Sequence, residues 1–197
     1  MNYHFAFDLD GTITKTEILP VIAKDLGIGR KMAILTRKTM NGEIPFDESF
    51  TRRVDMLKKI PISRVQQIIS TIPLNLKLVT FLRSYKNRSY IVTQNLDVWI
   101  KPLVERIGIP YICSHANYEG DKLKGIRTIL RKKEIHGKIK HPVVAIGEGY
   151  NDFEMMQDAA ISIAYGGVHK PAPSLLEMVD YAIYDEKTLC QFLKQLL

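Results

Sequence analysis

Short apolar runs alternate with longer amphipathic segments along most of this 197-residue chain, and this alternation constrains the fold more than any other feature. Each run is rich in β-branched or aromatic residues and ends at a polar residue or glycine, which favours a buried strand. The predicted strands are Tyr3–Phe7, Ser89–Val92, Val143–Ile146, Ile161–Ala164 and Tyr181–Ile183, and the helices predicted around them are Leu76–Tyr85, Val98–Ile107, Lys124–Lys133 and Asn151–Ala159. This order predicts an α/β fold, a doubly wound parallel sheet that binds ligands beyond the carboxyl ends of its strands.

The interval from Thr16 to about Pro73 interrupts the alternation, because it contains no convincing strand. Glycine, proline and Asn-Gly punctuate a series of helical patterns there. These patterns cover Ile18–Leu26, Arg30–Asn41, Asp47–Lys59 and Ile62–Thr71. The sequence therefore predicts a core made of residues 1–14 and 74–197, with residues 15–73 forming a small inserted helical cap.

The basic residues are concentrated in one segment. The chain has 28 Lys and Arg against 21 Asp and Glu, a net charge of +7, and the window Lys122–His141 contains eight bases and one acid. Nucleic-acid-binding modules usually combine bases with stacking aromatic residues, and this window has no Phe, Tyr or Trp. We therefore expect a solvated basic face and no nucleic-acid partner.

Composition excludes several other classes of protein. With 46% hydrophobic and 25% charged residues, the chain is too apolar to be disordered. Its two cysteines, Cys113 and Cys190, make no disulfide scaffold and are expected to be buried thiols. The sequence shows neither a signal peptide nor an apolar run of the ~18 residues that span a bilayer. These features predict a cytoplasmic protein without a membrane partner, and leave the oligomeric state open.

Asp8 and Asp10 stand two residues apart at the end of the first predicted strand, within Phe7–Thr12. Alternation along an extended chain points both carboxylates the same way. Two acids placed so repel each other unless a cation or a proton lies between them. An Asp-Gly turn would explain Asp10 but not Asp8. A calcium loop is not favoured, because Ile13 and Leu19 would occupy the positions of its required Gly and Glu.

The segment Asp8-Leu9-Asp10-Gly11-Thr12 resembles the first motif of the haloacid dehalogenase-like phosphatases, Asp-x-Asp-Gly-Thr after a buried strand. Three further segments resemble the other motifs in order. They are Ile91-Val92-Thr93, a strand ending in Thr; Lys124 at a predicted helix start, with Lys122 as its competitor; and Ala145–Asp152, an acidic loop after a strand. The resemblance covers most of the chain and implies that family's Rossmann-like core.

The resemblance implies a phosphatase that hydrolyses a small phosphorylated metabolite through an aspartyl-phosphate. In this family the residue matching Asp8 is the nucleophile, and the one matching Asp10 protonates the leaving alcohol and then activates water. Thr93 would hydrogen-bond the phosphoryl oxygens. Lys124 would supply a fixed positive charge to nucleophile and phosphate.

The resemblance also implies a Mg²⁺ cofactor, a hard cation that prefers oxygen ligands. The residues implied for the metal are Asp8, the backbone carbonyl of Asp10, Glu148 and, beside the metal, Asp152. Asn151 is implied in substrate binding. Together with Glu154, Asn151 also matches a helix capping box, Asn-x-x-Glu.

The inserted block is similar to the small helical cap of phosphoserine phosphatases, through Glu17 and the run Met40–Val54. The resemblance implies that Glu17 binds the substrate ammonium and Arg53 its carboxylate, while Met40 and Phe46 shape the pocket. Buried charges must be paired, and a zwitterion such as phosphoserine or a related amino-acid phosphate pairs both. The alternative is that Glu17 and Arg53 are surface charges.

Two residues and the length of one segment depart from the phosphoserine phosphatase pattern. Glu148 stands where the family usually has Asp, and Gln94 stands where it typically has Gly. The stretch from Ile109 to Lys124 is shorter than usual, as if a segment were missing before the third motif. Glu148 and Gln94 leave open a phosphate-binding regulatory protein with weak or lost catalysis, and phosphoryl transfer to an acceptor other than water remains a further alternative.

Overall fold

The computed structural model describes residues 2–24 and 27–197, apart from the side chain of Met40. Within these residues seven strands form one sheet, in the order β4-β3-β2-β1-β5-β6-β7. The strands are β1 His4–Asp8, β2 Ser89–Leu96, β3 Tyr111–Glu119, β4 Lys122–Thr128, β5 Val143–Gly147, β6 Ile161–Tyr165 and β7 Tyr181–Ile183. Neighbouring strands pair in parallel, except for the antiparallel β3 and β4. The predicted doubly wound α/β sheet is thus confirmed.

The core lies on both faces of the sheet, which explains why the central strands are apolar without alternation. On one face Phe5 and Phe7 pack with Phe81, with ring centroids 5.5 and 6.4 Å away. On the other face Ala6 belongs to a second buried cluster with Met155. Both sides of β1 are therefore shielded from water, and the strand is a rigid support for the charged residue at its end.

Helices cover the sheet and fill the long interval between β1 and β2. They are α1 Ile18–Lys24, α2 Gly29–Met40, α3 Phe46–Leu57, α4 Ile62–Ser70, α5 Leu76–Ser84, α6 Asp97–Ile107, α7 Phe153–Gln157, α8 Pro173–Leu176 and α9 Glu186–Gln195. The four helical patterns predicted between Ile18 and Thr71 correspond to α1–α4, although the end of the first pattern, at Leu26, lies outside the described residues. No helix in the described segments is both long and apolar enough to cross a bilayer.

The segment from Tyr111 to Gly137 corrects the sequence prediction. The helix predicted over Lys124–Lys133 was wrong, because this stretch is the strand β4, a connection, and the start of a short 3₁₀ helix at Lys132–Gly137. β3 and β4 form a hairpin whose turn contains Gly120, with a φ of +55°. Apolar and exposed residues alternate along the start of β4, which is the period of a strand.

The block α1–α4 joins the sheet through two adjacent chain crossings. Thr14 and Leu74 form an isolated antiparallel bridge, and the backbone N–H of Lys15 donates to the carbonyl of Pro73 at 2.9 Å. The helix α4 is also attached to the core, since Gln66 Nε2 donates to the Val98 carbonyl at 2.7 Å. The division into a core and a cap at residues 15–73 stays a prediction that agrees with the position of these crossings.

Candidate active site

Three adjacent strands, β2, β1 and β5, end at one cavity. Asp8 is the last residue of β1, Thr93 lies in β2 just past the pair Asp8–Val92, and Glu148 follows β5 directly. The cavity has a volume of about 50 Å³, and residues of α1–α3 close it from the other side. Its lining includes all the predicted site residues except Lys124 and Met40. The side chain of Met40 lies outside the described part of the structure.

Lys132 is a buried cation that bridges two of the carboxylates lining this cavity. Its side chain is fully buried, and Nζ donates to Asp8 Oδ1 and, at 2.5 Å, to Asp152 Oδ1. Burial alone would lower the pKa of Lys132, but the charges of Asp152 and Asp8 outweigh it and raise the pKa. The lysine therefore stays charged and holds these two carboxylates at a fixed separation.

Lys124 lies outside the site, so the structure contradicts its sequence assignment. It is an exposed residue of β4, and its Nζ pairs with Glu119 Oε2 at 2.9 Å across the hairpin. Lys122, the competing candidate, is also exposed on that strand. The lysine in the site is Lys132, eight positions after Lys124. The stretch between Ile109 and the third-motif lysine is therefore longer than the sequence analysis assumed, and no missing segment needs to be invoked.

Asp152 organises the loop that follows β5. Its Oδ2 accepts hydrogen bonds from the backbone N–H groups of Glu148 and Gly149, both at 2.9 Å. A Cβ on Gly147 would lie 2.4 Å from Asp152 Cγ, so only glycine lets this carboxylate approach the strand. With Oδ1 bound to Lys132, Asp152 holds the loop and the lysine together.

Asn151 does not form the predicted capping box with Glu154. The helix begins at Phe153, and no side-chain hydrogen bond caps it. Instead, Asn151 Nδ2 donates to Gln94 Oε1 at 3.3 Å, while Gln94 Nε2 donates to the carbonyl of Leu130 at 3.0 Å. Both ends of the Gln94 amide are therefore engaged at the cavity wall.

Asp10 is anchored by groups that leave it beside the cavity. Its Oδ1 accepts from the backbone N–H of Ile18 at 2.8 Å, and its Oδ2 accepts from Asn95 Nδ2. The same Asn95 donates its backbone N–H to Thr93 Oγ1 at 3.2 Å. Burial raises the pKa of Asp10. A carboxyl with a raised pKa keeps a proton closer to neutral pH, which suits a general acid.

Glu148 has no counter-ion in the described structure, and it points at the first motif. It is 1% exposed, and neither carboxylate oxygen has a hydrogen-bond partner among the described residues. A Cβ on Gly11, whose φ is +66°, would lie 2.0 Å from Glu148 Oε1. Burial, reinforced by Glu17 and Asp8, raises the pKa of Glu148 to about 10. Such an orphaned carboxylate is a ready ligand for a cation.

The charge balance agrees with a bound cation. Five carboxylates line the cavity, and among the described residues two cations oppose them, Arg53 in the lining and the buried Lys132 that contacts Asp8 and Asp152, which gives −3 when all are ionised. Burial and the neighbouring acids Asp152 and Asp10 also raise the pKa of Asp8, despite Lys132. A divalent cation held by oxygen atoms would relieve this repulsion, so the donor set fits Mg²⁺.

Glu17 and Arg53 lie in the cavity wall contributed by the cap helices. Arg53 is 5% exposed and donates to the Ser49 carbonyl and to Thr36 Oγ1, each at 3.3 Å. Its guanidinium carbon lies 5.6 Å from the ring centroid of Phe46. Burial and the charge of Asp10 raise the pKa of Glu17 to about 8. The interpretation as a surface charge does not fit the burial of Arg53, and Glu17 is half-buried in the same cavity lining.

Two residues that contact Asp8 and Asp10 were missed from the sequence, Lys132 and Asn95. Lys132 was missed because a continuous helix was predicted from Lys124 onward, although Lys132 is the first residue of a 3₁₀ helix, the helix-start position expected of the motif. Asn95 was missed because β2 was predicted to end at Val92, whereas it continues to Leu96. The run Thr93-Gln94-Asn95 directly after the apolar strand was the available signal.

Replacing Lys132 tests its central position. In Lys132→Ala, Asp8 and Asp152 are left buried without their shared cation, so the free energy of unfolding should fall by about 3 kcal/mol at neutral pH. Lys124→Ala, which removes an exposed lysine from the same segment, should change it by less than about 0.5 kcal/mol. Urea unfolding of both variants measures the difference, and equal effects would contradict the assignment.

Glu148 should make the metal-free protein sensitive to alkaline pH. Burial raises the pKa of Glu148 from 4.5 to about 10 in the folded protein, so the folded state holds this proton more tightly than the unfolded state does. The stabilisation is fully present below pH about 4.5, and the free energy of unfolding falls as the pH rises toward about 10. In chelator-treated protein between pH about 6 and about 9, Glu148→Gln should therefore lose less thermal stability than the wild type. The exposed control Glu177→Gln should follow the wild type. Parallel curves for wild type and Glu148→Gln would refute the raised pKa.

Comparison with known proteins agrees with this geometry. A family model described as haloacid dehalogenase-like hydrolase matches residues 5–157. A phosphoserine phosphatase of Methanocaldococcus jannaschii is 28% identical over 204 residues, covering 95% of this chain and 94% of that protein. Another, from Archaeoglobus fulgidus, is 30% identical over 178 residues, covering 81% of this chain but 51% of that protein.

A solved structure gives the same result for the fold. It is described as a phospho-aspartyl intermediate analogue of phosphoserine phosphatase and superposes with a TM-score of 0.84 at 26% identity, covering 98% of this chain and 99% of that one. The predicted similarity to phosphoserine phosphatases is therefore confirmed in sequence and in structure. The family match spans most of the chain, including β1, β2, β5 and the loop that carries Glu148 and Asp152. The chain belongs to the haloacid dehalogenase-like hydrolases.

Proposed function

We propose that this hydrolase is a Mg²⁺-dependent phosphatase that acts on phosphoserine or a closely related amino-acid phosphate. The observation that carries the proposal is the Asp8–Lys132–Asp152 bridge at the end of β1, on a cavity that Arg53 and Glu17 also line. The relatives and solved structures named phosphoserine phosphatase support the same substrate.

In the first step, a carboxylate oxygen of Asp8 attacks the phosphorus atom, and the bond from phosphorus to the ester oxygen breaks. The electron pair of that bond goes to the leaving oxygen, which takes a proton from Asp10. Lys132 already holds Asp8 Oδ1, so the second oxygen, Oδ2, is the nucleophile in this proposal. The product alcohol leaves, and an aspartyl-phosphate remains on Asp8.

In the second step, Asp10, now a carboxylate, takes a proton from water as the water oxygen attacks phosphorus. The bond between phosphorus and Asp8 breaks, and its electron pair returns to the carboxylate. Asn95 and the backbone N–H of Ile18 hold the Asp10 side chain in one place for both proton transfers. Thr93, a residue of β2 in the cavity lining, would hydrogen-bond the phosphoryl oxygens.

Mg²⁺ would be held by Asp8, the backbone carbonyl of Asp10 and Glu148, and would stabilise negative charge on the transferring phosphoryl group. Asp152 positions the loop that presents Glu148. The additional methylene of Glu148, compared with aspartate, is accommodated because Gly11 leaves room for the longer side chain. This fit favours catalysis over a purely phosphate-binding role.

The cap side of the cavity supports a zwitterionic leaving group. Arg53 is buried and has no carboxylate partner among the described residues. A substrate carboxylate would supply the counter-ion for its guanidinium group. Glu17 is a carboxylate whose pKa of about 8 would fall again beside a cation, and a substrate ammonium supplies one. The stacked rings of Phe46 and Phe50, 5.2 Å apart, support the guanidinium from one side.

Hydrolysis of a panel of phosphorylated metabolites tests the activity. Phosphate release should depend on Mg²⁺, and phosphoserine should be among the best substrates. Asp8→Asn should lose at least about 1,000-fold in kcat, because the nucleophile is gone. If wild type and Asp8→Asn release phosphate equally slowly from every compound, the protein is not a phosphatase of this kind.

Arg53 should determine substrate choice. Arg53→Ala should lower kcat/KM for phosphoserine by about 30-fold or more, because the substrate carboxylate would be left buried and unpaired. Hydrolysis of an aryl phosphate, which has no carboxylate, should fall far less. The matched control is Arg52→Ala, because Arg52 is an exposed neighbour on the same helix that pairs with Glu48 at 2.7 Å. Equal losses on the two substrates would exclude the zwitterion pocket.

A further inference from the structure

We propose that Glu17, Glu148 and His169 form a second metal site, which binds a transition-metal cation such as Zn²⁺ beside the Mg²⁺ site. One ligand atom from each residue lies within 4.8 Å of the other two. The three residues come from separate segments, since Glu17 directly precedes α1, Glu148 follows β5, and His169 lies in the connection between β6 and α8. The fold, and not local sequence, brings them together.

The unsatisfied atoms of this group support a missing ligand. Both carboxylate oxygens of Glu148 and Nε2 of His169 are buried, and in the described segments none of them has a hydrogen-bond partner. A buried polar atom without a partner costs about 1–3 kcal/mol. Two of the three residues therefore carry buried ligand atoms without partners, and one cation would satisfy carboxylate and imidazole together.

The ligand chemistry selects the metal class. Mg²⁺ prefers oxygen ligands alone, whereas imidazole suits Zn²⁺ and its neighbours. In tetrahedral coordination, bonds of about 2 Å place ligand atoms roughly 3.4 Å apart. Side-chain rotations that shorten the present separations of up to 4.8 Å by up to about 1.4 Å would reach this geometry. Three protein ligands leave one position for water.

Charge and access both allow a second cation. The cavity carries −3 when ionised, and one Mg²⁺ leaves −1, so another divalent ion is not excluded by repulsion. Glu148 has two unpartnered oxygens and can bridge the two metals. Glu17 and His169 also line a neighbouring cavity of about 560 Å³, which gives a route from solvent. Arg37 and Lys170 in its lining are exposed, so water and salt screen their charges.

Occupation of this site would inhibit the phosphatase. Glu17 is the residue proposed to bind the substrate ammonium, and a metal ion on its carboxylate would exclude that group. Zn²⁺ should therefore compete with phosphoserine. This consequence rests on the proposed function, whereas the binding of the metal does not.

Zn²⁺ titration by calorimetry in saturating Mg²⁺ tests the site directly. Wild type should bind one Zn²⁺ per chain, and His169→Ala should bind it at least about 10-fold more weakly. His115→Ala, which removes an exposed histidine paired with Asp97, should bind like wild type. Thermal unfolding checks that each variant is folded, and His169→Gln replaces His169→Ala if the latter is not.

Zn²⁺ inhibition provides the second measurement, with each protein compared with its own rate in Mg²⁺ alone. Inhibition of wild type should be competitive with substrate, and its inhibition constant should rise at least about 10-fold in His169→Ala. X-ray absorption of the Zn²⁺ complex should show one imidazole nitrogen among oxygen ligands. Equal binding by wild type and His169→Ala, or no binding in saturating Mg²⁺, would overturn the site. If the protein proves not to be a phosphatase, the binding data alone decide the question.

Discussion

The convergence of buried negative charge at the carboxyl end of β1 is the constraint on which the rest of this structure depends. Asp8 and Asp152 are both almost fully buried, and Lys132 is the cation that joins them. This contact depends on three elements. Strand β1 is buried on both faces, the loop after β5 folds around the Asp152 carboxylate, and the 3₁₀ helix Lys132–Gly137 positions the lysine. Even so, Glu148 has no partner among the described residues, and this residual charge is the basis for the proposed cation.

In the proposed phosphatase, chemical selectivity would come from the helices between β1 and β2. The acids at the sheet edge would serve any phosphate ester, whereas Arg53 and Glu17 would favour a substrate with groups of opposite charge. Contacts between cap and core hold this wall in place, including the pair between Arg131 Nη2 and Asp47 Oδ2 at 3.2 Å. One basic residue of the window Lys122–His141 thus contacts the cap, while Lys132 enters the site and the others are exposed.

The central sheet could be predicted from the sequence because its strands are apolar on both faces and end at polar or glycine signals. The first and fourth motifs follow directly from such strands, so the positions of Asp8 and Glu148 were predicted correctly. The hairpin β3–β4 was not, because its exposed side chains obscure a strand and the spacing of its apolar residues also fits a helix. That error moved the predicted lysine by eight positions, from Lys132 to Lys124. Glu17–Glu148–His169 could not be predicted, since its members approach only through the fold.

In the proposed mechanism Asp8 is the nucleophile of a phosphoryl transfer. The most direct test is to quench the Mg²⁺-loaded protein with acid during turnover of phosphoserine and to map phosphorylated peptides by mass spectrometry. We predict an acyl-phosphate on Asp8 that is absent from Asp8→Asn and disappears when substrate is exhausted. Phosphate release at full rate without a phosphorylated Asp8, or with the phosphoryl group on another residue, would contradict it.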